Sequence, residues 1–212
     1  MEAATPIRGK VVLLVHGIRV RDGARSGVAG LREYFEEAGW KVVVVSYGYF
    51  FLIRSRLCNG PVAAVIACFV MLLDELGFAV VAVGHSNGAA ILARASMLGA
   101  PFRVLAFVNA ALDRTPKIGK QVRAVLNYHV RTDHILAIAA VLPFNEWGDL
   151  GRVGFPPDSY PALWNVDLSD PANWGGEAAR DHNDALSAQK RVYFGPRIVD
   201  AVEIHGGFRE AA

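Results

Sequence analysis

The segment that most constrains this chain joins the apolar run Phe78-Ala79-Val80-Val81-Ala82-Val83 to the Ala-rich run Ala89-Ala90-Ile91-Leu92-Ala93 through Gly84-His85-Ser86-Asn87-Gly88. Six apolar residues in succession read as a short strand buried on both faces, and the Ala-rich run reads as a helix packed upon it. The pentapeptide between them has the form G-x-S-x-G. Strand and helix pass so closely at such a turn that Gly84 and Gly88 have no room for side chains, and Ser86 must take a strained conformation. The turn lifts the serine hydroxyl above the sheet edge, which makes Ser86 a candidate nucleophile. The plainer reading is a glycine-rich turn with an N-capping serine. With 21 Gly among 212 residues the pentapeptide alone says little. The strand before it and the helix after it carry the weight.

The rest of the chain keeps the same rhythm. Residues 11–15 and 42–47 read as strands, and 28–37 as an amphipathic helix stopped by Gly39. After a loop holding Arg54 and Arg56, Pro61 is expected to open a helix that Gly77 closes. Further strands are expected at 102–108, 122–130 and 163–168, and helices at 133–141, 183–190 and 197–204. Alternation of this kind implies a mostly parallel sheet of about six strands with crossover helices, in one domain spanning 1–212. Residues 143–176 break the pattern with five prolines and with Trp147, Trp164 and Trp174. That stretch is either a lid or pocket wall over the site, or simply aromatic packing at the sheet edge.

Composition excludes several classes. Hydrophobic residues make up 53%, rich for a soluble protein and typical of a buried parallel sheet, while 22 basic and 20 acidic residues leave a net charge of +2. No nucleic-acid or membrane-surface preference follows. Cys58 and Cys68 read as small buried hydrophobes, with neither disulfide nor metal-site spacing. The most apolar stretch, 61–73, falls short of the roughly 18 residues of a spanning helix, so no integral membrane segment is expected. The first ten residues lack a basic-then-apolar leader, and the cytoplasm is the expected location. No pattern demands an oligomer; edge strands and the helix from Pro61 are the surfaces available for one.

Acyl transfer through a serine requires a base, an acid to orient that base, and donors for the oxyanion. On a parallel sheet these groups belong in loops after strand C-termini. Asp133 follows the strand ending near Val130, and is the expected acid, with a helix-capping role as the plainer alternative; Asp113 is the main rival. His182, in the polar loop Arg180-Asp181-His182-Asn183-Asp184, is the expected base, its alternative being an exposed loop histidine without a task. Val15-His16-Gly17-Ile18 ends the first strong strand. Gly17 lets that loop approach a substrate, and the amides of Ile18 and Asn87 are the expected oxyanion donors.

Taken together, the His16-Gly17 loop, the Gly84-His85-Ser86-Asn87-Gly88 turn, and then Asp133 and His182 in that chain order resemble the α/β-hydrolase superfamily. The resemblance covers nearly the whole chain. It implies a three-layer α/β-hydrolase fold, reduced at the N-terminus and without a large cap domain, similar to small lipases, esterases and cutinases. It also implies ester cleavage on a small-molecule or acyl-chain substrate, with no metal and no organic cofactor. Thioester or amide cleavage, acyl transfer to another acceptor, and a catalytically silent scaffold used for binding remain open on the same residues.

Overall fold

The computed structural model describes residues 7–18, 27–47, 52–141, 147–156, 159–174 and 177–210. Six strands, β1 Gly9–Val15, β2 Lys41–Val45, β3 Phe78–His85, β4 Val104–Val108, β5 Ala124–His129 and β6 Leu163–Asp167, form one sheet. Their order is β2-β1-β3-β4-β5-β6, and every neighbouring pair is parallel. The chain leaves β1 to one side for β2 and returns on the other side for β3. The C-terminal ends of β1 and β3 therefore flank the point where strand order reverses, which is where open α/β sheets place their ligands.

Continuous apolar strands imply burial on both faces, and two cores lie back to back. One packs Val12, Leu14, Val81, Val83, Ala106 and Leu126 beneath α1 Arg32–Glu37 and α6 Ala188–His205. The other packs Val11, Leu13, Val80, Ala82, Leu105 and Val125 beneath α2 Leu52–Glu75 and α3 Asn87–Met97. Two short helices, α4 His134–Val141 and α5 Leu150–Val153, follow β5. A 3₁₀ turn over Val28–Leu31 leads directly into α1, and Gly39 ends that helix at φ 78°, with its amide bonded to the Glu36 carbonyl.

Several expectations need correction. Residues 52–60, Arg54 and Arg56 included, are helical, so Pro61 lies inside α2 and does not open it. Asn59-Gly60-Pro61 reads locally as a breaker, but burial of Asn59 and of Ala63, Ile66, Ala67 and Val70 against α3 and the sheet overrides that preference. The helix is thus much longer than its apolar run, and the Cys58–Glu75 portion is long and apolar enough to cross a membrane by length and composition. Cys68 is exposed on it and Cys58 only partly covered, so neither is a buried hydrophobe. At the C-terminus, two expected helices are one: α6 runs through Pro196, where Gly195 lies against the Tyr34 ring. The strand expected at 163–168 is β6, and the stretch 143–176 holds further regular structure that was not expected, α5 and a 3₁₀ turn over Pro171–Trp174; 142–146, 157–158 and 175–176 lie outside the described residues.

Candidate active site

The turn after β3 has the backbone its sequence demands. Ser86 sits at φ 54° and ψ −122°, a conformation that L-residues rarely adopt, and α3 begins at the next residue. A Cβ on Gly84 would stand 2.8 Å from the Ala89 nitrogen, and one on Gly88 would stand 2.2 Å from the Val15 carbonyl oxygen. Backbone cannot retreat as a side chain can. Gly88→Ala is therefore expected to cost about 3 kcal/mol or more, read as a fall in Tm of roughly 6–12 °C in a thermal melt.

The loop after β1 comes up against the serine. A Cβ on Gly17 would lie 2.9 Å from the Ser86 Cβ and 3.4 Å from its Oγ, so only glycine permits this approach. The His16 ring stacks on Tyr47 at 4.3 Å. Ser86 is buried, 8% exposed, and among the described residues no hydrogen bond joins its hydroxyl to His182.

On the other flank, Asp133 and His182 meet. The His182 Nδ1–H donates to Asp133 Oδ2 at 2.7 Å, both residues being buried. Asp133 follows β5, and its Oδ1 also accepts the Leu136 amide at 3.0 Å, so the capping role and the pairing with His182 coexist. Asn109 donates to Asp133 Oδ2 at 3.0 Å from the end of β4, where it holds a left-handed φ of 48° that asparagine tolerates well. Burial alone would raise the Asp133 carboxyl, but the bonds from His182, Leu136 and Asn109 outweigh it and hold the group below its ordinary value. An ionised Asp133 keeps the proton on Nδ1 and presents Nε2 as a base. Asp113, the rival acid, is exposed.

His85 braces the pair. Its Nε2–H donates to the His182 carbonyl at 3.0 Å, and the two rings lie 4.9 Å apart. Burial first, then the neighbouring His182, push its pKa down to about 3. It stays neutral at working pH and does not compete as a charged group. Asn87, the residue after the serine, is buried and its side-chain amide is engaged on every side, by Asn59, Tyr47 and Trp147. Ile18 packs on Ala111, Leu136, Ala139 and Trp147, an apolar wall beside the loop. Trp147 precedes a segment tied down by bonds from the Leu150 amide to Leu112 and from the Gly151 amide to Ala110.

Ser86, Gly17, Asn87 and His85 thus converge at one end of the sheet, and Asp133 pairs with His182 there. Asn109, Asn59 and the Tyr47 hydroxyl escaped the sequence reading. A polar residue directly after β4 was a usable signal for Asn109. Asn59 and Tyr47 reach their partners over 28 to 40 residues, and nothing local marks them.

No protein-family model matches the sequence, and neither does any curated protein. Solved structures do match. A protein from Xanthomonas campestris pv. campestris described as a hydrolase of the alpha/beta superfamily is 20% identical, with 92% of this chain and 99% of that one covered and a TM-score of 0.52. The esterase domain of a Rhodothermus marinus protein is 13% identical over 94% of this chain and 88% of its own, with a TM-score of 0.58. A Lactobacillus plantarum WCFS1 protein described as a carboxylesterase is 12% identical over 98% of this chain and 89% of its own, with a TM-score of 0.53. At such identities the likeness concerns architecture. The chain has an α/β-hydrolase fold, with an all-parallel six-stranded sheet and no large cap among the described residues.

Proposed function

We propose that this chain is a serine hydrolase that cleaves carboxylic esters through an acyl-enzyme on Ser86. The observation that carries the reading is the buried Asp133–His182 pair at the same sheet end as a serine held in a strained turn. In this scheme Ser86 Oγ attacks the acyl carbonyl while its proton passes to His182 Nε2. Asp133 holds the imidazole in the required tautomer and stabilises its cationic form. The Asn87 amide, at the head of α3 where the first N–H groups have no acceptor within the helix, faces the developing oxyanion together with Ile18 N–H. Collapse of the tetrahedral intermediate expels the alcohol, which takes the proton from His182. Water then attacks the acyl-enzyme, gives its proton to His182, and releases the acid and the free serine. The wall of Ile18, Ala111, Leu136 and Trp147 suits an apolar acyl group.

Labelling of the folded protein with a fluorophosphonate tests this directly. The expected result is a single adduct that peptide mass spectrometry places on Ser86, with loss of p-nitrophenyl butyrate hydrolysis in proportion to labelling. Folded protein that stays unlabelled, or is labelled elsewhere, would sink the proposal.

A further inference from the structure

Tyr47, two residues beyond the edge strand β2, touches both halves of the oxyanion site. Its hydroxyl donates to the His16 carbonyl at 2.5 Å and lies 3.0 Å from the Gly17 carbonyl, while it accepts from Asn87 Nδ2 at 3.4 Å. The Gly17 carbonyl also takes the His16 Nδ1–H at 2.5 Å. A trans peptide is planar, so its C=O and the following N–H point in opposite directions. Holding the Gly17 oxygen toward Tyr47 therefore aims the Ile18 N–H away from Tyr47. Gly17 lies between, pressed against Ser86.

The second half is held with equal completeness. Asn59 and Asn87 form a reciprocal amide pair, Nδ2 to Oδ1 at 2.8 and 2.9 Å. Trp147 Nε1–H adds a second donor to Asn87 Oδ1 at 2.9 Å, and the remaining Asn87 proton reaches Tyr47. A side-chain amide offers two donors and two acceptor sites, and all four are used. The Asn87 side chain thus has one orientation, and with it the first residue of α3 is pinned. Burial pushes the Tyr47 phenol well above its ordinary range, so it remains a donor throughout working pH.

We propose that Tyr47 and Asn59 are positioning residues that align the Ile18 and Asn87 amides as one preorganised oxyanion site; the inference rests on the esterase reading above. Amides fixed in advance need no reorganisation when charge develops, so misalignment weakens transition-state binding and leaves ground-state binding alone. Tyr47→Phe keeps the ring that stacks on His16 and removes only the hydroxyl. With p-nitrophenyl butyrate it is expected to lower kcat roughly 10–100-fold, a fraction of the effect of losing a donor outright, with KM within about twofold of wild type. Affinity for phenylboronic acid, whose serine adduct is tetrahedral, is expected to fall by a similar factor. Asn59→Ala, which leaves the loop after β1 untouched, is expected to lower kcat by about 3–10-fold with the same KM pattern.

Thermal melts establish that each variant is folded before its kinetics are read. An unchanged kcat in either folded variant, or a raised KM in place of a lowered kcat, overturns the proposal. Wild-type protein that escapes labelling at Ser86 defeats the esterase reading itself. Labelled, active wild type beside an indifferent Tyr47→Phe defeats only the positioning role.

Discussion

Asparagine in place of Asp133 is expected to lower kcat by about 10⁴-fold while KM stays near wild type. The reason lies in which groups face each carboxylate oxygen. Oδ1 accepts the Leu136 amide, and Oδ2 accepts both His182 Nδ1–H and Asn109 Nδ2–H. An asparagine that preserves the helix cap must turn its own NH₂ toward two donors. His182 then does best by moving its proton to Nε2 and accepting at Nδ1, which leaves no lone pair to take the Ser86 proton. Turning the amide over restores the histidine but sets NH₂ against the Leu136 N–H. Either arrangement also strands a buried donor, at a cost of about 1–3 kcal/mol.

Steady-state kinetics on p-nitrophenyl butyrate, with circular dichroism to verify folding, test this. A folded Asp133→Asn protein within tenfold of wild-type kcat would rule out the assigned role. The carboxylate has a further signature. Its folded pKa lies below its unfolded one, so its stabilisation is present above the unfolded value and is lost as pH falls through the folded value; Asp149, bonded first to Arg114, behaves in the same way.

Stability is expected to fall by about 4 kcal/mol between pH 6.5 and 3 on account of His85 alone. The folded protein holds this imidazole near a pKa of about 3, whereas the unfolded chain binds a proton at 6.5. The unfolded state therefore carries more protons throughout that window, and acid favours it. Well above 6.5 the contribution is complete; it is lost as pH falls through 3. His85→Gln supplies an amide N–H for the His182 carbonyl and has no proton to gain. Urea denaturation at pH 7 and pH 4.5 separates the two proteins. Wild type is expected to lose about 3 kcal/mol more than the variant over that interval. Parallel losses in both would show that His85 is not the group responsible.

How far the chain explains itself depends on the range of the interactions. Strands β1, β3 and β4 were readable because burial on two faces forces largely apolar runs, as in Val11 to Val15. Ser86 and Asp133 were readable as site candidates because each lies shortly after a strand, where a parallel sheet exposes its loops. Helix limits were less so. Asn59-Gly60-Pro61 and Gly195-Pro196 have the local chemistry of breaks, yet both lie inside helices whose other faces are held by distant partners. Cys68 misled for a related reason: in a helix apolar on all sides, sequence does not say which side meets the sheet. The network of Tyr47, Asn59 and Asn87 is composed wholly of long-range side-chain contacts, and no periodicity announces it.

The placement of β2 bears on how this molecule would lose function under stress. Among the described residues that strand is at the sheet margin, pairs with β1 alone, and has no fully buried residue, while β3 is enclosed on both sides. Ser86 is anchored to the interior; Tyr47 hangs from the rim. Marginal strands fray at free energies well below that of global unfolding. On the proposed reading, the attacking oxygen and its base would then outlast the amides that receive the charge, so warming would silence turnover while the fold around the serine stood intact.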